Sequence, residues 1–219
     1  LKVKLARDLL KANDVLAGGL RDRLGELGLL AVNLIGSPGS GKTTLLERTI
    51  GGLGARRVAV IEGDVATTLD AQRIERTGAA VVQVNTDGAC HLDANMVTGA
   101  VTDLALEGVD YLFIENVGNL VCPAAWDLGE DLKVVVSSVA EGDEKPAKYP
   151  RVFREAQACV LNKTDLIPHV EFDAQRFTTE VRRLNPEAEV FLLSAREGSG
   201  IDEWLTWLET RLAAKRATR

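Results

Sequence analysis

The sequence predicts an α/β fold in three layers, a mostly parallel sheet of about seven strands with helices on both faces. Seven short apolar runs alternate with stretches of helical character, the pattern left when strands buried on both faces are joined by crossover helices. The first run ends in a glycine-rich turn that leads straight into a helix. Residues with the most chemistry fall just after the apolar runs, and ligands of open α/β sheets sit beyond the carboxyl ends of the strands. Composition agrees with a globular chain able to bury a full core: 219 residues, 46% apolar, 26% charged and 5% aromatic. A formal charge of −6 and a pI near 5.1 argue against nucleic-acid or membrane-surface binding. Three cysteines, an odd number, together with the lack of a membrane-length apolar run or signal-peptide core, point to a reducing, cytoplasmic setting. The sequence starts at Leu1 rather than Met, so a short leader is expected upstream.

Leu5, Leu9, Leu10, Leu16 and Leu20, with charged residues between them, have the spacing of an amphipathic helix or helix pair reaching about Gly28. That divides the chain into an N-terminal helical segment, 1–28, packed on a domain of residues 29–219. The domain opens on the apolar run 29–35, then the glycine turn, then a helix from Thr44 to Leu53. Later strand candidates are Arg57–Ile61, Ala80–Val84, Tyr111–Glu115, Lys133–Val139, Ala158–Leu161 and Val190–Leu193. A helix is expected to open at Gly88–Asp93 and to run to about Leu106. The polar stretch from Glu141 to Pro150 has no clear periodicity and reads as an ordered surface loop or a switch segment.

The turn Gly36-Ser37-Pro38-Gly39-Ser40-Gly41-Lys42-Thr43 has the P-loop spacing, glycine, four residues, then Gly-Lys-Thr, and it lies between a strand and a helix as the mechanism requires. The fold is therefore read as that of a P-loop NTPase. Backbone amides of residues 39 to 44, Thr44 included, would cradle the β-phosphate at the positive end of the helix. Lys42 would bridge the β- and γ-phosphates, and the Thr43 hydroxyl would bind Mg²⁺. A plain glycine turn with an incidental lysine is the alternative.

Asn162-Lys163-Thr164-Asp165 follows the sixth apolar run. The Asp165 carboxylate can accept from both N1–H and the exocyclic amine of guanine, a donor pair that adenine lacks. The Lys163 stem would cover the base, and Asn162 would tie this loop to the P-loop. Ser194 and Ala195, ending the last strand, would offer backbone amides to the guanine O6. GTP and GDP are thus the expected ligands. Glu115-Asn116-Val117-Gly118 stands where GTPases usually carry Asp-x-x-Gly, so Glu115 would hold Mg²⁺ through water and the Gly118 amide would sense the γ-phosphate. Asn119 follows, rather than the glutamine that positions water in Ras-type enzymes, so intrinsic turnover should be slow, below about 1 s⁻¹. Asp64 is the remaining candidate for orienting water or the Mg²⁺ shell, with helix N-capping as its alternative.

Cys90 and His91 lie after the third strand, and Cys122 lies just beyond the Glu115 motif, so both segments leave strand ends on the nucleotide side. A helix N-terminus at Cys90 would lower its thiol pKa and favour the metal-binding thiolate. Cys, His and Cys suit Zn²⁺ or Ni²⁺, but a closed tetrahedral site needs four ligands, so water or a second subunit would fill the gap. Spacing alone also admits two buried thiols and a turn histidine. Cys159 reads as core packing, and His169 as a solvated loop residue.

Taken together, the P-loop, Glu62-Gly63-Asp64, Gly88-Ala-Cys-His-Leu-Asp93, Glu115-Asn-Val-Gly-Asn-Leu-Val-Cys-Pro-Ala124, Glu141–Pro150 and Asn162–Asp165 resemble the HypB family, SIMIBI-class GTPases for nickel incorporation into [NiFe] hydrogenase. The resemblance covers nearly the whole chain. It implies dimerisation on GTP binding, transfer of nickel toward the hydrogenase large subunit with a HypA-type accessory protein, and a metal site at the dimer interface made by Cys90, His91 and Cys122. Lys145 and Lys148 would reach across that dimer. Some members carry a Cys-rich motif or histidine-rich tract near the N-terminus, and neither occurs within this sequence. The related urease accessory GTPases carry Cys-Pro-His where this chain has Cys122-Pro123-Ala124, which favours the hydrogenase reading. Two rivals remain: a metabolic P-loop kinase, which would prefer ATP, and a metal-binding module whose GTPase activity is vestigial.

Overall fold

The computed structural model describes residues 2–64 and 68–218, and of residues 2–7 the backbone alone. In chain order the elements are α1 (Lys2–Leu27), β1 (Leu30–Ile35), α2 (Lys42–Gly52), β2 (Val58–Asp64), α3 (Leu69–Glu75), β3 (Ala80–Asn85), α4 (Ala94–Asp103) and β4 (Tyr111–Glu115). They continue with β5 (Leu132–Ser138), α5 (Lys145–Lys148), α6 (Pro150–Glu155), β6 (Ala158–Asn162), α7 (Ala174–Leu184), β7 (Glu189–Leu192) and α8 (Ile201–Ala217). The sheet runs β3-β2-β4-β1-β5-β6-β7 with every pair parallel.

Alternation along β1 shows how the layers form. Leu30, Val32 and Leu34 point into a core shared with α2, α3 and α8, while Ala31 and Ile35 face the opposite side. That opposite side holds α1 and α4 through Leu20, Leu24, Val97 and Val101, and α6 and α7 through Phe153 and Phe177. Trp204 of α8 is fully buried, and its indole N–H donates to Thr49 Oγ1 at 2.9 Å, so the large side chain docks α8 on α2 without an unsatisfied donor. The first segment is one helix rather than a pair, and no described helix is long and apolar enough to cross a membrane. The Leu5 side chain lies outside the described residues.

Two expectations need correction. The helix after β3 starts at Ala94 and ends at Asp103, not at Gly88 and Leu106. Asp93 caps it, accepting from the Met96 amide at 2.8 Å, and leaves 88–93 as a loop. The stretch 141–150 is not a plain loop either, because Lys145–Lys148 makes a helical turn with proline near its start and α6 opens at Pro150.

Candidate nucleotide and metal site

The end of β2 and the loops after β1, β4 and β6 line one continuous cleft at the carboxyl edge of the sheet. Its larger part, about 460 Å³, is bounded by the P-loop, Glu62, Asp64, Glu115 and Gly118. A neighbouring pocket of about 350 Å³ shares Gly41, Thr44 and Lys163 with it and adds Asn162, Asp165 and Ala195. Ser37 and Gly39 sit on the P-loop rim, Ser40 is fully buried beneath it, and Lys42 Nζ donates to the Gly36 carbonyl at 3.2 Å. Gly41 has φ +92°, and a Cβ there would run into Asn162 Nδ2, so the turn needs glycine both for its backbone and for the approach of the β6 loop. That approach is bonded: Asn162 Nδ2 donates to the Ser40 carbonyl at 3.0 Å and Lys163 Nζ to the Gly39 carbonyl at 2.6 Å.

In the smaller pocket, Asp165 Oδ1 is buried and has no hydrogen-bond partner among the described residues. A buried acceptor of that kind is costly unless a ligand supplies donors. The expectation for Ser194 and Ala195 is revised. The Ala195 amide donates to Asn162 Oδ1 at 3.0 Å and the Ser194 amide to the Ser199 carbonyl at 3.0 Å, so both amides are engaged within the chain. Here these two residues fix Asn162 and the turn after β7.

The acidic side of the cleft is Glu62, Asp64 and Glu115. Thr43 Oγ1 donates to Glu115 Oε1 at 2.8 Å, while Glu115 Oε2 and Glu62 Oε2 are buried without partners among the described residues. Burial pushes Glu115 up to about 7 and Glu62, which also faces the negative Glu115, up to about 8. A hydroxyl and two buried carboxylates with orphaned oxygens fit a hard divalent cation such as Mg²⁺, which would relieve both the repulsion and the desolvation. The longer glutamate at position 115 is accommodated because it reaches Thr43 directly. Asp64 closes β2, and residues 65–67 beyond it lie outside the described residues. The N-cap position of α3, which begins at Leu69, is Thr68.

Cys90, His91 and Cys122 come together although 32 residues separate the two cysteines. Their ligand atoms all lie within 4.8 Å of one another, with the sulfurs 2.8 Å apart and Cys90 Sγ 3.7 Å from His91 Nδ1. All three cysteines are free, and Cys159 is in the core. The expected lowering of the Cys90 pKa is not found. Its thiol is pushed up, first by the hydrogen bond with Cys122 and then by burial, and the helix starts only four residues later, at Ala94. Desolvation lowers His91, which keeps the ring neutral and able to ligate. His91 stacks on Trp126, ring centroids 4.5 Å apart. His169 is exposed at the end of a 3₁₀ turn.

Glu62 and Asn116 lie within the sequence motifs without an expected role there, and Trp126 lies outside them. Glu62 is placed by β2 alone, Trp126 by the turn after Cys122, and Asn116 by its buried bond to the Leu92 amide. Within the chain, Lys145 donates to Ser37 Oγ of the P-loop at 3.2 Å and pairs with Glu141, and exposed Lys148 pairs with Glu144.

Known proteins share this sequence and fold. Residues 30–192 match the model of the CobW/HypB/UreG nucleotide-binding domain. The chain is 53% identical to the hydrogenase maturation factor HypB of Azotobacter vinelandii, over 97% of this chain and 72% of that protein. It is 50% identical to the HypB of Escherichia coli K12, over 94% of this chain and 72% of that one. A crystal structure of Helicobacter pylori HypB in complex with nickel superposes with a TM-score of 0.90 at 37% identity, covering 94% of this chain and 97% of that chain. With the P-loop, the Asn162–Asp165 loop and the Cys-His-Cys cluster all in place, the chain belongs to the CobW/HypB/UreG family and, within it, to the HypB hydrogenase maturation factors.

Proposed function

We propose that this chain is a slow GTPase that binds nickel at Cys90, His91 and Cys122 and couples the nucleotide state to nickel delivery in [NiFe] hydrogenase maturation. The observation that carries the reading is the short segment from Glu115 to Cys122. One turn holds a cleft carboxylate, a glycine packed on the P-loop and a sulfur of the Cys-His-Cys cluster. Lys42 neutralises the β- and γ-phosphates, amides of residues 39 to 44 hold them, and Asp165 selects guanine. Thr43 and Glu115, with Asp64 and the orphaned Glu62 carboxylate beside them, would hold Mg²⁺, which would offset the phosphate charge. The Gly118 amide bonds the γ-phosphate and is released when water has cleaved GTP to GDP and phosphate. Asn119 donates to the Cys90 carbonyl at 3.2 Å, so it is not placed to orient water and turnover is slow.

Three protein ligands leave a coordination position that a second subunit or water completes, consistent with a GTP-dependent homodimer. Zn²⁺ suits the same donors. Nickel would pass, with a HypA-type protein, to the hydrogenase large subunit in the cytoplasm. The test is nickel affinity and oligomeric state of the GTPγS-bound and GDP-bound forms. Tighter nickel binding and dimerisation in one state are expected; equal affinities with equal dimerisation refute the coupling.

A further inference from the structure

A nucleotide switch of the kind proposed above, on which this inference rests, needs a physical path from the γ-phosphate to the sulfurs. The turn after β4 lies between the P-loop and the loop that carries Cys90 and His91. On one side Gly118 is pressed against Pro38: a Cβ there would stand 2.8 Å from Pro38 Cγ and 3.0 Å from its nitrogen. On the other side two asparagines reach across. Asn116, 1% exposed, accepts through Oδ1 from its neighbour's amide, Val117, at 3.0 Å and from the Leu92 amide at 3.2 Å. Its Nδ2 donates to Asn33 Oδ1 in β1 at 3.3 Å. Asn119 donates to the Cys90 carbonyl at 3.2 Å and accepts from the Val121 amide at 2.9 Å. The loop bearing two metal ligands is therefore bonded on both sides, at residues 90 and 92, to the turn bearing the third.

We infer that Asn116 and Asn119 are positioning residues that carry the nucleotide state to the metal site. The Leu92 amide is buried and takes Asn116 Oδ1 as its partner, so slipping the loop past the turn would strand a buried N–H. Leu92 itself is fully buried and packs on the backbone of Gly63 at the end of β2. A shift of Gly118 toward a γ-phosphate thus carries Cys122 with it directly, and Cys90 and His91 through the two side chains. Asn119, at the position of the Ras-type glutamine, serves geometry at the metal rather than water at the phosphate.

The test uses the full chain and Ni²⁺, measuring the ratio of nickel affinities between the GTPγS-bound and GDP-bound forms for wild type, Asn119→Ala, Asn116→Ser and Trp126→Phe. Asn119→Ala and Asn116→Ser should each bring the ratio toward one by up to about fivefold, the equilibrium factor of one hydrogen bond. Trp126→Phe, which touches His91 but not the turn's asparagines, should shift both forms together and leave the ratio alone. If Asn116→Ser does not fold, the more exposed Asn119→Ala decides. A wild-type ratio preserved in the asparagine variants overturns this inference alone, whereas a wild-type ratio of one overturns the switch reading and this inference with it.

Discussion

Replacing Asp165 with asparagine tests the base assignment most sharply, because the substitution keeps size and shape and changes only donor and acceptor identity. Asp165 Oδ1 is buried with no partner among the described residues, so its desolvation has already occurred before a ligand arrives. Two charge-assisted bonds, from N1–H and the exocyclic amine of guanine, then contribute about 1.5–3 kcal/mol each. Asparagine keeps one neutral acceptor and sets its own amide N–H against the base amine. The expected loss of GDP affinity is about 3–5 kcal/mol, or roughly 10²- to 10⁴-fold. Xanthine carries a carbonyl in place of that amine, so Asp165→Asn should recover binding to XDP, while weak ADP binding stays as it was. Displacement of a fluorescent nucleotide reads all three. GDP affinity within tenfold of wild type in Asp165→Asn, or wild-type ADP affinity within tenfold of GDP, would refute the assignment and favour a kinase-like reading.

The Cys-His-Cys cluster and the buried carboxylates each give a further testable outcome. Trp126 stacks on His91, whereas Trp204 and Trp207 stack on each other in α8, so Ni²⁺ should quench the Trp126 part of the emission and closed-shell Zn²⁺ should not; quenching that survives Trp126→Phe would place the metal elsewhere. In protein free of nucleotide and magnesium, the raised Glu62, about 8 against 4.5, and Glu115, about 7, bind more protons folded than unfolded between pH 4.5 and 8. Stability is therefore fullest below pH 4.5 as far as these groups go, and falls as pH rises to 8. Thermal midpoints in EDTA should drop by several degrees between pH 5.5 and 8.5, and Glu62→Gln should flatten the slope; an unchanged slope in that variant would contradict the burial argument.

The amino-acid sequence by itself determined the sheet and the phosphate turn, because both are local. The five central strands are buried on both faces and largely apolar, the edge strands β3 and β7 keep enough of the pattern, and six of the seven ends fall within a residue or two of the expected ones, while β2 runs on to Asp64. Gly41 illustrates the same point in the P-loop: its backbone conformation demands glycine wherever the rest of the chain goes. What the tertiary structure alone decided depends on partners far apart in sequence. Helix capping by Asp93 moved the helix start away from Cys90, and Cys122, 32 residues on, then raised a thiol pKa that a helix N-terminus was expected to lower. The Ala195 amide was claimed by Asn162, 33 residues earlier, and Asn119 by the Cys90 carbonyl, 29 residues earlier. Residue type states what a group can bond, but burial and distance choose which bond it makes. At this site those choices join the turn after β4 to the loop that carries Cys90 and His91.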